Sequence, residues 1–471
     1  MVFKKQIGVL SAVLVASAMA AGCGDGKTGD ADGAANPKTA ENKPREPVEL
    51  KIVPYWLAMS DQEFEELLFR PLKAKYPHIT MKVDRTDPVK LAAAGEFPDI
   101  YYVANVRYST FKDLDIPYDM SAMVKNKANP IDLGSFAKPN IDWITELGSN
   151  GEIYGLPFDL NHYGLFYNKD LFDKRGVPYP KDGMTWADML ELSRKLTFVD
   201  GGVQYRGFLP PNPNVFSGTK TMAVYDQTTK KALLNNAGYK SILELIKPFY
   251  EIPGMVANGE FPIKGADFLQ DRTVAMMANW ITDTASTMQT NKIQMNFDLV
   301  GMPSFQDLPG VTIHPGAKMM GISKTSKHKE DAYLAIQFFT SPAVQSQINR
   351  GGRLTALADE NIRKDFAAGV EVLKGKNVQG ALKVKPAKMI PPHAYNATID
   401  NFFNATAADL AKGTKDINTL LREAQEAADK AIAEAEAAIT PTVEAQEWVN
   451  RKRYRHIGKA VWSISNKRFP A

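Results

Sequence analysis

Three strand patterns separated by two helix patterns fill residues 48–103. The segments VELKIVPY (48–55), ITMKV (79–83) and DIYYV (99–103) are rich in β-branched and aromatic residues. Between them, residues 61–76 and 89–94 have apolar residues at helical spacing, and Pro71 is expected to interrupt the first helix. This alternation predicts an α/β fold with a largely parallel sheet. Ligands of such sheets bind beyond the carboxyl ends of the strands, here after Tyr55 and Ala104.

A second α/β set follows further along the chain. Residues 163–168 can form a strand, and 185–196 form an amphipathic helix in which Thr185 and Asp188 fit a capping box. Residues 238–250, 341–351 and 416–439 are also predicted to be helices. The chain has 471 residues, which is too many for one compact core, so we expect two lobes.

The N-terminus has the features of an exported protein. Lys4 and Lys5 precede an apolar run at 7–21, which is too short for a spanning helix and predicts a signal peptide over 1–22. Cys23 follows it and is the single cysteine of the chain, which excludes a disulfide within the chain. Residues 24–47 contain no aromatic residue and no Ile, Leu, Val or Met, so we expect 23–47 to be a flexible tether.

Charge and histidine spacing narrow the possible partners. The chain has 57 basic and 53 acidic residues, a near balance that gives no electrostatic reason for binding nucleic acid. His314 and His328 lack the spacing of metal ligands, so we expect no metal, and no motif calls for a cofactor.

Four segments carry a resemblance to a known family. They are GEFPDIYYV (95–103), YGLPFDLNHYGLFYNKDLF (154–172), FLQDRTVAMMANW (268–280) and HPGAKMMGISKTSKHKEDAYL (314–334). In this order they resemble the extracellular solute-binding proteins of ABC importers, in the carbohydrate-binding, maltose-binding-protein-like branch, over residues 48–438. Asp271 and Arg272 stand where that family usually has Gly. Cys23 resembles the lipidated cysteine of bacterial lipoproteins, although Ala20 stands where Leu is commonest.

The resemblance implies a two-lobed periplasmic-binding-protein-like fold, each lobe a mostly parallel sheet flanked by helices. Lobe 1 would comprise 48–156 and 304–354, and lobe 2 would comprise 157–303 and 355–439. Hinge crossovers would lie near 155–159 and 301–304. The protein would be a monomer outside the cytoplasm, held at the cell membrane by lipid on Cys23. It would deliver a carbohydrate, an oligosaccharide in our expectation, to the membrane subunits of an importer.

A sugar ring has apolar faces and a rim of hydroxyl groups, which aromatic platforms and polar side chains can bind. Residues of these types at the expected edges of the cleft are our candidates for ligand binding, with His162 a weaker one. The alternative is that they are satisfied polar groups or aromatic filler between the lobes. The candidates are Trp56, Asn105, Asp159, Tyr163, Trp280, Asp283 and Arg353.

Two other functions stay open at this point. A secreted glycosidase or lyase would need a catalytic pair of carboxylates, which a sequence alone does not exclude, although no G-x-S-x-G, H-E-x-x-H or P-loop motif occurs. A structural lipoprotein without a working cleft is the third possibility. Residues 440–471 are basic and aromatic and extend beyond the usual end of the family. We expect them to form a helix that packs its aromatic residues on a lobe.

Overall fold

Two β-sheets organise the part of the chain that the structure, a computed structural model, describes. The described residues are 45–55, 57, 59–256, 265–389 and 393–437. The chain divides into two units, 1–45 and 46–471, and of the first unit the structure describes only Arg45. The predicted signal peptide, Cys23, Trp56 and residues 440–471 therefore lie outside the described residues.

The strands lie close to the positions that the sequence predicts, where it predicts them. In chain order they are β1 (Val48–Tyr55), β2 (Ile79–Val83), β3 (Ile100–Ala104), β4 (Leu156–Asn161), β5 (Tyr163–Asn168), β6 (Phe198–Asp200), β7 (Val203–Leu209), β8 (Tyr225–Asp226), β9 (Lys231–Ala232), β10 (Val274–Trp280), β11 (Phe297–Gly301), β12 (Val311–Thr312), β13 (Gly316–Ile322), β14 (Leu354–Thr355) and β15 (Lys385–Pro386).

The helices cover the faces of both sheets. They are α1 (Asp61–Phe64), α2 (Arg70–Lys75), α3 (Pro88–Ala94), α4 (Tyr108–Asp113), α5 (Ser121–Val124), α6 (Lys138–Glu146), α7 (Lys169–Arg175), α8 (Trp186–Lys195), α9 (Pro213–Thr219), α10 (Ala237–Tyr250), α11 (Gly265–Leu269), α12 (Ile281–Thr290), α13 (Lys329–Phe339), α14 (Pro342–Arg350), α15 (Glu360–Arg363), α16 (Val378–Ala381) and α17 (Asn396–Lys412). A further helix, α18, runs from 417 to the end of the described residues at 437.

The larger sheet has six strands in the order β14-β4-β13-β3-β1-β2. The predicted strand–helix–strand units give the parallel neighbours β1–β2 and β1–β3. The other neighbours, β13–β3, β13–β4 and β14–β4, are antiparallel. Strands β4, β13 and β14 are far apart in the chain from the strands beside which they lie. No βαβ crossover helix therefore requires them to run parallel.

The smaller main sheet has five strands in the order β11-β5-β10-β7-β6. Only β7 and β10 run parallel in it, and the other neighbours are antiparallel. The α/β class is therefore confirmed, but both sheets are mixed and not largely parallel as the sequence suggested. The two remaining sheets are pairs of two-residue strands, β8–β9 and β12–β15.

Pro71 does not interrupt the helix that the sequence predicts at 61–76. A π-helical turn, Glu65–Phe69, joins α1 to α2, and Pro71 is the second residue of α2. In this turn the Arg70 N–H donates to the Glu65 carbonyl, five residues back. We infer that the wider turn takes up the residue whose ring would collide with a regular helix, since Pro has no N–H to donate.

The first turn of α8 has the capping box that the sequence predicts. The Asp188 N–H donates to the Thr185 hydroxyl at 3.3 Å, and the Thr185 N–H donates to the Asp188 carboxylate at 2.8 Å. Trp186, the first residue of α8, is 4% exposed and lies against Phe216 with ring centroids 4.6 Å apart. The helix is therefore fixed at its start by hydrogen bonds and by an aromatic anchor.

A single residue, His162, separates β4 of the six-stranded sheet from β5 of the five-stranded sheet. Every residue of both strands is buried. Gly155 leads into β4, and a Cβ atom there would overlap the Met319 side chain and the Met320 carbonyl of β13. A glycine is therefore needed where the chain enters this connection.

Candidate functional site

A cavity of about 360 Å³ lies between residues that come from both main sheets. From the six-stranded sheet, Asn105 follows the carboxyl end of β3 and His314 precedes β13. From the five-stranded sheet, Tyr163 begins β5 and Trp280 ends β10. This is the size and the position, beyond strand ends, that small-molecule sites in α/β proteins have.

Two aromatic pairs form parts of the cavity wall. Tyr163 and Trp280 lie with ring centroids 4.2 Å apart at an interplanar angle of 47°. Tyr225 and His393 are stacked, with centroids 4.2 Å apart and an interplanar angle of 22°. Trp280 also packs against Gly316 of β13, where a Cβ atom would lie 3.2 Å from the indole ring. Such rings suit the apolar face of a ligand that also carries polar groups.

Uncharged polar side chains supply the hydrogen-bonding groups of the wall. Asn105 is 5% exposed, and its Nδ2 lies 3.9 Å from the Met389 sulfur. Its Oδ1 has no hydrogen-bond partner in the described part of the chain, although buried polar atoms are normally paired. The polar lining residues are Asn105, Asn212, Asn214, Ser217, Gln227 and Asn396.

Burial controls the charge of the titratable groups in this wall. It lowers the pKa of His314 and of His393, so both imidazoles are neutral at neutral pH. It raises the pKa of Asp400, in α17, to about 6, and a hydrogen bond from Asn214 opposes the rise. Among the described lining residues, Asp400 is the one acidic residue, and Lys and Arg are absent. At neutral pH the Asp400 carboxyl group is mostly ionised.

The structure brings together three of the seven residues that the sequence proposes for ligand binding. Asn105, Tyr163 and Trp280 line the cavity, whereas Trp56 lies outside the described residues. Asp159, Asp283 and Arg353 are not among the described lining residues.

Asp159 and Arg353 belong to a buried charge cluster whose members are not described lining residues. The Asp159 carboxylate accepts hydrogen bonds from the Tyr102 hydroxyl at 2.6 Å and from Lys318 Nζ at 3.1 Å. An Arg353 nitrogen lies 3.7 Å from the same carboxylate, and another donates to Glu63 at 2.7 Å. The side chains of Asp159, Arg353 and Lys318 are 0%, 1% and 8% exposed. We call these five residues the buried charge cluster.

Asp283 stands at the edge of this cluster, in the first turn of α12. Burial raises the pKa of its carboxyl group, and the positive charges of Lys318 and Arg353 oppose that rise. Asp283 in turn contributes, after burial, to the raised pKa of the Tyr163 hydroxyl. Its charge therefore acts on both the cluster and one aromatic residue of the cavity wall.

The start of α12 also connects the two main sheets. The Thr282 hydroxyl donates to the Gly352 carbonyl at 2.8 Å, and the Thr282 N–H donates to Asn161 Oδ1 at 3.1 Å. Asn161 ends β4, and Gly352, at φ +90°, precedes β14 of the same sheet. Trp280 stands two residues before Thr282, so the cavity wall and these hydrogen bonds share one short segment.

Several lining residues were missed by sequence reasoning. Asn212 and Asn214 follow the carboxyl end of β7, so the strand-end rule would have found them had that strand been recognised. Tyr225, His393 and Asp400 come from a two-residue strand, a loop and a helix, and no local pattern marks them.

The described residues contain no helix with the length and apolar character needed to cross a membrane. Within the same ranges, no group of three or more His, Cys, Asp or Glu side chains is arranged to hold a metal ion.

Solved structures share this fold over most of the chain. An ABC substrate-binding protein of Listeria monocytogenes, in complex with cycloalternan, superposes with a TM-score of 0.66 at 16% identity. The match covers 82% of this chain and 100% of that one. The sugar-binding protein MalE of Xanthomonas citri gives a TM-score of 0.63 at 17% identity, over 83% of this chain and 99% of that one. Such low identity shows the fold alone, and that fold is the predicted two-lobed one.

Two relatives are similar over shorter stretches. The arabinooligosaccharide-binding protein of Bacillus subtilis (strain 168) is 32% identical over 115 residues, which is 24% of this chain and 24% of that protein. The lactose-binding protein of Rhizobium radiobacter is 33% identical over 67 residues, which is 14% of this chain and 15% of that protein. The matched stretches thus span about a quarter or less of these relatives.

The family itself is identified over a longer range. A sequence profile of bacterial extracellular solute-binding proteins matches residues 59–346, which is more than half of the chain. The match includes strands β2 to β13, with the connection at His162 and Trp280 with the helix that follows it. The resemblance found in the sequence is thereby confirmed at the level of the family. The chain is a member of the bacterial extracellular solute-binding proteins.

Proposed function

We propose that this protein captures a carbohydrate in the cavity between its two main sheets and delivers it to the membrane subunits of an ABC importer. The observation that carries the proposal is the lining, in which Tyr163, Trp280 and Tyr225 stand among side-chain amides. Aromatic faces and directed polar groups are the combination that a sugar ring requires. Two relatives are named as an arabinooligosaccharide-binding and a lactose-binding protein, and these names agree with this ligand class.

A binding role also fits the cavity better than a glycosidase does. Glycosidases of the common type place two carboxyl groups on either side of the scissile bond. Among the described lining residues, Asp400 is the one carboxyl group. We therefore favour a binding protein that releases its ligand unchanged.

A thermal-shift screen against a panel of oligosaccharides tests the proposal, with product analysis on the same samples. We expect at least one sugar to raise the melting temperature, because a ligand that binds only the folded state stabilises it. We expect the sugar to be recovered intact. Hydrolysed or eliminated products would favour the enzyme, and no shift with any sugar would count against carbohydrate binding.

The two lobes are proposed to be the units that move when ligand binds. The pairing of β4 within the six-stranded sheet supports a boundary at His162, a few residues beyond the 156/157 boundary expected from the sequence. The second part of lobe 1 would extend to 358, because Thr355 pairs with Asp159 of β4 and the Ala358 N–H donates to the Ser135 carbonyl. Lobe 1 would then include 304–358 in place of the expected 304–354, and lobe 2 would take 163–303 and 359–439.

Closure of these lobes should be measurable in solution. Small-angle scattering with a sugar that gives a thermal shift is expected to show a smaller radius of gyration than without it, since closed lobes bury the cleft. The matched control is a sugar from the same panel that gives no shift. A radius unchanged at saturation would contradict closure and leave binding intact.

The anchor is proposed to be lipid on Cys23, which makes the protein a lipoprotein at the outer face of the cell membrane. The position of this single cysteine after a signal-peptide pattern supports the proposal. Cys23→Ala is expected to move the protein from the membrane fraction to the medium. Protein that stays on the membrane after a high-salt wash would show that another segment holds it.

A further inference from the structure

The cavity wall carries negative charge and no positive charge at neutral pH, as far as the described residues show. Lys and Arg are absent from the described lining residues, and the lining imidazoles of His314 and His393 have pKa values lowered by burial. Asp400 is therefore the source of net charge in this wall. A charge inside a cavity acts more strongly than one on the surface, because less water screens it.

Among the described residues, no cation forms an ion pair with the Asp400 carboxylate. Asn214 of α9 donates a hydrogen bond to it. On α10, burial raises the pKa of the Tyr239 hydroxyl, and the negative charge of Asp400 raises it further. Arg107 is the charged residue of the turn 105–107, which also packs on α17, but it is not a described lining residue. No ion pair of Asp400 is found within the described residues.

A second acceptor, on a residue of the same wall, has no partner among the described residues. Asn105 lines the cavity, and its buried Oδ1 receives no hydrogen bond in the described part of the chain. A buried acceptor that is left unpaired is costly, so a bound molecule that donates to it gains affinity. Asp400 and Asn105 therefore both favour a ligand rich in O–H donors.

We propose that the cavity accepts uncharged saccharides and rejects acidic ones, and that Asp400 is the residue that imposes this selection. The inference rests on the carbohydrate-binding function proposed above. Sugar hydroxyl groups donate to Asp400 and Asn105, whereas a uronate or phosphate brings acceptor oxygens and a like charge to the same place. Like charges brought together in a binding site cost several kcal/mol, which corresponds to about a hundredfold or more in affinity.

Matched sugars provide the direct experiment. Trisaccharides of glucose, galactose and mannose are compared with the uronic acid trisaccharides that differ by a carboxylate at C6, using thermal shift and calorimetry at pH 7.5. We expect a neutral trisaccharide to bind about a hundredfold or more tighter than its uronate. A uronate that binds as tightly as its neutral partner overturns the inference and leaves carbohydrate binding standing. No binding by any sugar of this set or of the wider panel overturns the proposed function itself.

Asp400→Asn tests whether this residue makes the selection. The change removes the charge and keeps the shape, so the ratio of neutral to uronate affinity should fall at least about tenfold. Asp409→Asn is the matched control, because Asp409 is on the same helix, is 40% exposed and forms surface ion pairs with Lys412 and Lys415. Its ratio should equal that of the unchanged protein. A ratio that Asp400→Asn leaves unchanged overturns the assignment.

The melting temperature without ligand distinguishes a ligand-directed carboxylate from a structural one. Burial raises the pKa of Asp400 to about 6, so the folded protein disfavours the ionised form above that pH, and this penalty fades as the pH falls toward 4. Asp400→Asn should therefore melt at a higher temperature than the unchanged protein at pH 8, with little difference at pH 4.5. A lower melting temperature at pH 8 would show that the carboxylate supports the fold and would overturn its assignment to the ligand.

Discussion

Replacing Asp159 with Ala should lower the free energy of unfolding by about 3–5 kcal/mol. The change leaves Lys318 and Arg353 buried without the carboxylate that both approach, and it removes the acceptor of the Tyr102 hydroxyl. Breaking a buried ion pair from one side is costly because the remaining charge stays out of water. Denaturant unfolding followed by tryptophan fluorescence measures the loss.

Asp142→Ala is the control for this prediction. Asp142 forms an ion pair with Lys138 at 2.6 Å on the surface of α6, where the side chains are 47% and 83% exposed. A pair in water contributes less than about 1 kcal/mol. Equal losses for Asp142→Ala and Asp159→Ala would contradict the view that burial gives the cluster its importance.

The same variant decides between two roles for Asp159. The sequence proposes it as a ligand contact, and the structure places it among Tyr102, Lys318 and Arg353, away from the described cavity lining. A structural residue costs stability when it is lost, whereas a contact residue costs affinity at unchanged stability. If Asp159→Ala binds sugar more weakly but is as stable as the unchanged protein, Asp159 would be a ligand contact, as the sequence proposes.

Trp280→Ala should weaken binding of the tightest oligosaccharide in the panel by about ten- to a hundredfold, which is roughly 1.5–3 kcal/mol. The indole lines the cavity and is only half-buried, so the ligand loses an aromatic surface while the core loses little. The measurement pairs calorimetric affinity with the melting temperature of the same protein.

Trp186→Ala is the control for Trp280→Ala, and we expect it to change stability and not affinity. Trp186 is 4% exposed and packs between Phe208 and Phe216, so its loss should cost about 3–5 kcal/mol of stability. Its effect on sugar affinity should be small in protein that remains folded. A large fall in melting temperature for Trp280→Ala, with affinity unchanged, would assign Trp280 to the core.

Local patterns predicted the elements well where one segment contains all the information. Strands β1, β2 and β5 have the predicted bounds, and the capping box of Thr185 and Asp188 forms as expected. Each of these features depends on residues close together in the chain. The direction of β13 and β14 depends instead on where distant segments enter the sheet, which no local pattern contains.

The site was predicted in part for the same reason. Tyr163 and Trp280 stand at strand ends, and the rule that ligands gather there placed them correctly beside a cavity. Asp159 and Arg353 also lie on or beside strands, but the Asp159 carboxylate is turned toward the buried side chains of Arg353 and Lys318. Asp400 reaches the wall through the docking of α17, a contact between residues far apart in the chain.

At His162 the chain passes from one main sheet to the other through a single residue, so this connection cannot lengthen or shorten. Burial lowers the pKa of this histidine to about 4, and the strands on both sides of it are held in hydrogen-bonded ladders. If the lobes close as proposed, the rotation of one sheet against the other would be taken up at this crossing by a few backbone torsions. A small torsional change at His162 would then displace the residues of a lobe by a distance that grows with their distance from His162. An engineered sensor would therefore report closure best from fluorophores on the parts of the two lobes farthest from His162. A reporter domain inserted at His162 would lengthen the connection and uncouple the two lobes.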